Sequence, residues 1–245
     1  MDISKLDKLI KPSGTMAISN KSRELKSQGK PVIGFGAGEP DFPSPDHVVN
    51  AAINAASDPK NHKYSPAAGL ESLREIIAKT SKEYSGFEIK PNNVIVSNGG
   101  KQSILTAFLS ILDDGDEVLI PAPYWTTYPE AVKIAGGNPV FIETEKDNNF
   151  KVTVDLLENA KNSNTKMLVW CSPSNPTGVV YTKEEAEEIY EWVFKNDLWI
   201  LSDELYEHLV YESETSPSPA IYDPELKNTI ICHTTDFHDI LSSSV

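Results

Sequence analysis

The feature that most constrains this fold is a series of short apolar runs that alternate with helical stretches. The runs are apolar without polar alternation and lie at residues 94–96, 118–120, 140–142, 167–170, 199–201 and 229–232. Segments with helical spacing lie between them, near residues 100–112, 127–136, 153–161 and 182–195. Uniformly apolar strands separated by helices are typical of a mostly parallel sheet that helices cover on both faces. The sequence therefore predicts an α/β fold.

The N-terminal part of the chain is predicted to contain helices separated by an extended segment. Residues 1–30 carry a weak helical pattern, whereas residues 32–45 are rich in glycine and proline and have no helical period. A helix is predicted to begin at Ser44 and Pro45. Its predicted buried face consists of Val48, Val49, Ala52, Ile53 and Ala56. A second helix is predicted from residue 69 to about residue 84. Its predicted inward residues are Leu70, Leu73, Ile76 and Ile77.

Composition limits the class of protein. The chain has 245 residues, 39% of them apolar, which suits a soluble domain with a buried core. No apolar run is long enough to span a membrane, and the N-terminus lacks the apolar core of a secretory signal. The formal net charge of −14 argues against nucleic acid, whose phosphates need a basic surface. Cys171 and Cys232 do not suggest a disulfide framework, so a reduced cytoplasmic location is expected. No metal site is predicted.

Polar motifs follow the predicted strands, at the sheet edge where α/β proteins bind ligands. After the first strand, SNGGKQ places Gly99 and Gly100 at a helix start, where backbone N–H groups favour an anion. The alternative is a tight turn that caps a buried helix. After the second strand, PAPYWTTYPE contains three aromatic residues, which could stack on a planar ligand or cover the sheet edge.

Two more motifs follow the fourth and fifth strands. In CSPSNPTG, two prolines restrict the backbone around Asn175, so its amide could hold a ligand oxygen, or the segment is a plain turn. Asp203 directly follows an apolar run, and a partly buried carboxylate needs a partner such as a cationic ring nitrogen. Tyr206 could reach the same ligand, although Asp203 could instead cap a short helix. Because four such features follow strands of one sheet, we predict that they form one site.

Together the motifs resemble those of the class I, fold-type I aminotransferases that use pyridoxal 5'-phosphate (PLP), in the bacterial-type aspartate aminotransferase branch. The resemblance covers the chain up to about residue 231. The matching segments are GAGEPDF (36–42), KYSPAAG (63–69), SNGGKQ (97–102), PYWTTYPE (123–130), SPSNPTG (172–178) and SDELYEHL (202–209). Their order and spacing fit the family pattern, so the large PLP-binding domain of that fold is expected.

The resemblance implies which residues hold the phosphate and the face of the cofactor. Gly99, Gly100 and Lys101 would lie in the phosphate loop, with backbone N–H groups as donors. Trp125 would stack on the pyridine ring. Tyr64 would reach the phosphate of the neighbouring subunit, so the active unit of the intact family member would be a homodimer.

The resemblance also implies which residues hold the ring edge and the substrate. Asn175 and Tyr206 would hydrogen-bond the phenolic oxygen of the ring. Asp203 would keep the pyridine nitrogen protonated, which makes the ring an electron sink. Gly38 would offer its backbone to the substrate carboxylate.

The C-terminal stretch departs from the family pattern. In the family, the strand like 229–232 leads into S-K-x-x-x-M-T-G-W-R, whose lysine forms the Schiff base with PLP. Here the chain reads HTTDFHDILSSSV, without lysine or arginine, and its last lysine is Lys227. The resemblance therefore implies that the catalytic lysine is absent and that PLP binding is non-covalent at best. The small C-terminal domain, and an antiparallel strand between 229–232 and 94–96, are also expected to be missing.

The resemblance implies amino-group transfer between an amino acid, either aspartate or an aromatic one, and a 2-oxo acid. This chain itself is expected to be inactive. One alternative is a non-catalytic remnant that binds a partner chain, and another is a PLP-dependent carbon–sulfur lyase on the same fold. The expected divisions are an N-terminal arm with a small-domain segment (1–45), a partial PLP-binding large domain (46–231) and a divergent tail (232–245).

Overall fold

Five parallel strands form the centre of the molecule. The structure is a computed structural model that describes residues 4, 6–36, 38, 42–211 and 216–234. The strands are β1 (Glu117–Ala122), β2 (Asn138–Glu143), β3 (Thr165–Cys171), β4 (Trp199–Asp203) and β5 (Thr229–Cys232). They pair in the order β2-β1-β3-β4-β5, and every pairing is parallel. The predicted α/β fold with a mostly parallel sheet is confirmed.

Eight α-helices accompany the sheet in the described part of the chain. They are α1 (Leu6–Leu9), α2 (Gly14–Ser27), α3 (Asp46–Ser57), α4 (Glu71–Thr80), α5 (Gly100–Ile111), α6 (Thr127–Ile134), α7 (Val154–Ala160) and α8 (Lys183–Lys195). Short 3₁₀ helices lie at Pro59–Asn61, Pro91–Asn93, Lys146–Asn148 and Pro219–Tyr222, and a π-helical turn at Ser81–Ser85 follows α4. None of the helices in the described ranges is long and apolar enough to cross a membrane.

The core has two layers because the strands are apolar on both faces. In β3, Val169 packs with α5 and α6 on one face, while Leu168 packs with α7 and α8 on the other. Both side chains are almost completely buried. Buried aliphatic side chains of this kind contribute roughly 1.5–3 kcal/mol each to the free energy of unfolding. The alternation of faces along each strand explains why the apolar runs lack polar residues.

Helix α8 shows how local sequence sets an element boundary. Thr182 Oγ1 accepts a hydrogen bond from the Glu185 backbone N at 3.2 Å, and Glu185 Oε2 accepts one from the Thr182 backbone N at 2.7 Å. This reciprocal capping box pairs two backbone donors that the helix itself cannot satisfy. The helix therefore begins directly after Thr182, at Lys183.

The predicted first strand, at residues 94–96, is not a strand. The segment is extended, with Val94 buried and Ile95 71% exposed, but no described strand pairs with it. The backbone N of Val96 instead donates to the carbonyl of Ala68 at 3.0 Å. An apolar run becomes a strand only where a neighbour supplies the ladder of hydrogen bonds, and within the described ranges the sheet ends at β5.

The predicted buried face of α3 is also wrong. Val49 is 43% exposed and Ile53 57% exposed, and no residue of this helix is buried. Leu70, which directly precedes α4, and Ile76, on α4, are exposed although both are predicted to face inward, and only Ala78 of this helix is buried. The helical spacing identifies the apolar face correctly, but it does not say whether another element covers that face.

Candidate functional site

The carboxyl ends of β3, β4 and β5 bring Asp203 to the middle of one sheet edge. In the strand register, Cys171 of β3 lies beside Asp203 and Cys232 of β5 lies on its other side. Asp203 is 6% exposed. Its Oδ2 accepts a hydrogen bond from the hydroxyl of Tyr128 at 2.6 Å, and its Oδ1 accepts one from the Leu205 backbone N at 3.3 Å.

Burial gives this carboxyl group unusual electrostatics. Desolvation raises the pKa of Asp203 above its ordinary value, and the hydrogen bonds from Tyr128 and Leu205 and the charge of His233 oppose that rise. Within the described ranges, no lysine or arginine forms an ion pair with it. A buried carboxylate that no lysine or arginine pairs with is stabilised by a cationic group that binds beside it.

Tyr128 is a site residue that the sequence reasoning missed. It lies in the first turn of α6, is 2% exposed, and has a phenol pKa raised mainly by burial. Its ring meets that of Trp125 edge to face, with centroids 5.5 Å apart. The sequence carries a weak signal for it, because a tyrosine three positions after Trp125 in a helical segment lies on the same side of the chain.

The glycine loop lies next to this aromatic pair. Gly99 adopts a positive φ of 79° at the N-cap of α5, and a side chain built at Gly99 or Gly100 would meet no atom within 4 Å. Open space and the start of a 12-residue helix that no side chain caps suit an anion. Lys101 Nζ lies 5.1 Å from the centroid of the Trp125 ring. The structure therefore brings the predicted phosphate loop and the predicted stacking residue together.

Asn175 and Tyr206 also meet, as their shared predicted ligand requires. Asn175 Nδ2 donates a hydrogen bond to the Tyr206 hydroxyl at 3.3 Å. Burial raises the pKa of Tyr206 and the hydrogen bond from Asn175 opposes it. The two side chains come from the loops after β3 and β4, so sheet pairing brings them together although they are far apart in sequence.

Tyr64 and Gly38 stand apart from this group. Tyr64 is fully exposed, and a side chain built at the exposed Gly38 would meet no atom within 4 Å. Their predicted roles, at a subunit interface and against the substrate carboxylate, both require groups from outside the described chain. Both roles stay predictions.

A family model described as aminotransferase class I and II matches residues 30–235. The chain belongs to this family. It is 52% identical over 222 residues to an aspartate aminotransferase of Streptomyces avermitilis, covering 91% of this chain and 54% of that protein. It is 48% identical over 196 residues to a probable aspartate aminotransferase of Streptomyces griseus, covering 80% of this chain and 92% of that protein.

The fold of this aminotransferase-family chain also matches solved structures. The aspartate aminotransferase from Thermus thermophilus with maleate has a TM-score of 0.91 and 40% identity, covering 96% of this chain and 60% of that chain. The predicted large domain of fold-type I aminotransferases is therefore confirmed. This chain spans a little over half the length of the relatives from Streptomyces avermitilis, Bacillus subtilis and Bacillus sp. strain YM-2. Proteins of this family use PLP and act on amino acids and 2-oxo acids.

Proposed function

We propose that the group formed by Asp203, Tyr128, Trp125 and the Gly99–Gly100 loop binds PLP, and that the intact protein uses it for amino-group transfer. The observation that carries this proposal is the buried Asp203 carboxylate, held by Tyr128 at the sheet edge. Burial penalises its charge, so a protonated pyridine nitrogen against this carboxylate is stabilised. When bound, PLP supplies an electron sink for the substrate.

The residues present fit the cofactor in three places. The open space at Gly99 and Gly100 and the start of α5 suit a phosphate group. The Trp125 ring packs against Tyr128, whose hydroxyl binds Asp203. Trp125 therefore offers an aromatic face close to that carboxylate. The Asn175–Tyr206 pair offers hydrogen bonds to a ring oxygen. The proposed role of Asp203 is to hold the proton on the ring nitrogen.

The proposed substrates follow from the relatives. The Bacillus subtilis relative is called aspartate aminotransferase, and the Aquifex aeolicus relative is called probable aspartate/prephenate aminotransferase. A structural neighbour from Pyrococcus horikoshii is called an aromatic aminotransferase. We therefore propose aspartate as the amino acid, with an aromatic amino acid as the second candidate, and a 2-oxo acid as the acceptor.

Residues 1–245 alone are proposed to bind PLP without covalent attachment. The sequence has no lysine after Lys227, and Lys101 lies over Trp125, beside the proposed phosphate loop. A chain that lacks a lysine at the reacting carbon loses a general base, an effect of about 10²–10⁴-fold. The second candidate function is a non-catalytic chain that binds a partner chain, which the fully exposed Tyr64 favours. The division into residues 1–45, 46–231 and 232–245 belongs to the same proposal.

The test is a PLP titration of the purified chain, followed by absorbance and by quenching of tryptophan fluorescence. Asp203→Asn should weaken PLP binding at least tenfold, because the amide cannot neutralise a pyridinium. Asp147→Asn is the matched control, since Asp147 is exposed and belongs to the 3₁₀ helix between β2 and α7. Equal affinities for the two variants would contradict the proposal.

A further inference from the structure

The geometry points to a divalent transition-metal site made by Glu207, His208 and His233. One carboxylate oxygen and one imidazole nitrogen from each histidine lie within 4.8 Å of one another. The three residues are outside the group proposed to bind PLP. No metal site is predicted from the sequence, in which Glu207 and His233 lie 26 positions apart.

Sheet pairing creates this cluster, which we call the Glu207 cluster. His233 directly follows β5, and the turn that carries Glu207 and His208 follows β4. The last residues of these two strands, Asp203 and Cys232, are register partners. The residues just beyond them are therefore held at the same edge of the sheet.

The distances suit a small cation after a modest adjustment. Ligands bound at about 2.0–2.2 Å to one tetrahedral zinc ion lie roughly 3.4 Å from each other. Glu207 Oε1 and His208 Nε2 are 3.3 Å apart, close to that value. Glu207 Oε1 and His233 Nε2 are 2.5 Å apart, a direct hydrogen bond that the metal would replace. The His233 side chain is 35% exposed, so it has room to move outward.

Glu207 is held in place by a contact behind it. Its side chain is 5% exposed, and its Oε2 accepts a hydrogen bond from the Ser85 hydroxyl at 2.9 Å. This contact leaves Oε1 directed at both imidazoles. Hydrogen bonds of this kind orient a ligating carboxylate and typically change metal affinity 10–100-fold when they are lost.

The ligand types decide the class of metal. Two imidazoles and one carboxylate suit zinc and its neighbours among the first-row transition metals, whereas calcium and magnesium require sites made mostly of oxygen. Three protein ligands leave a position for water, as in open zinc sites. The free thiols do not compete: Cys232 is buried, and burial raises the pKa of Cys171 to about 12, which disfavours the thiolate that binds metals.

Protons should compete with the metal at this cluster. The 2.5 Å contact between His233 Nε2 and Glu207 Oε1 is a hydrogen bond, so a proton lies between these two atoms. A metal ion must displace this proton, so zinc binding should weaken as the pH falls.

The test is a titration of the chelator-treated full chain with Zn²⁺ against a chromophoric competitor. One equivalent of Zn²⁺ should bind, and His208→Asn and His233→Asn should each weaken binding at least tenfold. Ser85→Ala should weaken it less. His62→Asn is the matched control, because His62 contacts the carbonyl of Ala56 in another part of the fold and should leave zinc affinity unchanged. Circular dichroism of each variant checks that it is folded.

Two further measurements make the outcome decisive. Millimolar Ca²⁺ or Mg²⁺ should not displace Zn²⁺, and Co²⁺ should give visible absorption that His233→Asn removes. The proposal is overturned if the folded chain binds no Zn²⁺ at about pH 7.5, or if His208→Asn and His233→Asn bind it as tightly as the unchanged chain. It is also overturned if His238→Asn, at a position outside the described residues, abolishes binding while His233→Asn does not.

Discussion

The hydroxyl of Tyr128 donates a 2.6 Å hydrogen bond to Oδ2 of Asp203, 75 positions later in the chain. Both residues are almost fully buried. The bond joins the first turn of α6 to the end of β4, so it links a helix to the sheet edge at which the proposed cofactor site lies. It also fixes the orientation of the carboxylate before any ligand arrives.

Tyr128→Phe should lower the free energy of unfolding by about 1–3 kcal/mol, because a buried carboxylate loses a hydrogen-bond donor. Chemical denaturation monitored by circular dichroism measures this change. Tyr64→Phe is the control, since Tyr64 is fully exposed and should stay within about 0.5 kcal/mol. If the two variants are equally stable, the bond between Tyr128 and Asp203 does not stabilise the fold.

Glu204 should make stability depend on pH. It is 2% exposed, and its Oε1 accepts hydrogen bonds from Ser202 at 2.7 Å and Ser218 at 2.6 Å. Burial is the main cause that raises its pKa to about 7, and Glu207 adds to the rise while the two serines and His233 oppose it.

The direction of this dependence follows from proton linkage. The native state holds the Glu204 proton more tightly than the unfolded state, so its contribution is complete below the ordinary pKa of 4.5. It is lost as the pH rises to about 7, with a slope of at most about 1.4 kcal/mol per pH unit. Glu204→Gln should remove this slope. Burial lowers the pKa of His233, but its hydrogen bond to Glu207 and the charges of Glu207 and Glu204 raise it, so Glu204→Gln removes the contribution of Glu204 together with its coupling to His233. Parallel stability curves for the two proteins between these pH values would refute the assignment.

Leu168→Ala should cost about 2–5 kcal/mol of unfolding free energy, because it leaves a cavity beneath α7 and α8 on the central strand β3. Ile95→Ala should cost less than about 0.5 kcal/mol, since Ile95 is 71% exposed in the segment that was predicted to be a strand. Urea melts of both variants provide the comparison. A large loss for Ile95→Ala would mean that residues 94–96 are covered in solution.

Borohydride treatment of the PLP-loaded chain should leave no covalently attached cofactor. The reason is that residues 233–245 contain no lysine and Lys101 lies over Trp125, beside the proposed phosphate loop. Peptide mapping by mass spectrometry after reduction makes the measurement, and transamination should be undetectable in the same preparation. A stoichiometric pyridoxyl-lysine at any position, together with turnover of an amino acid, would contradict this prediction.

The pattern of apolar and polar residues along the sequence by itself determined most of the strands and most of the helix boundaries. Uniformly apolar runs predicted the five strands, and helical spacing near residues 182–195 predicted α8, because such signals act over a few residues. The motifs after the strands also predicted that Gly99, Trp125 and Asp203 lie near one another, since the carboxyl ends of parallel strands share an edge.

Tertiary structure alone decided which apolar faces are covered and which distant side chains meet. Residues 94–96 and the apolar face of α3 carry the right pattern but lack a neighbour in the described chain, and burial depends on the neighbour. Tyr128 reaches Asp203, and His233 reaches Glu207, only because strand pairing and helix packing bring positions far apart in sequence within hydrogen-bond distance. Neither contact follows from spacing along the chain, because each depends on how β4 lies against α6 or β5.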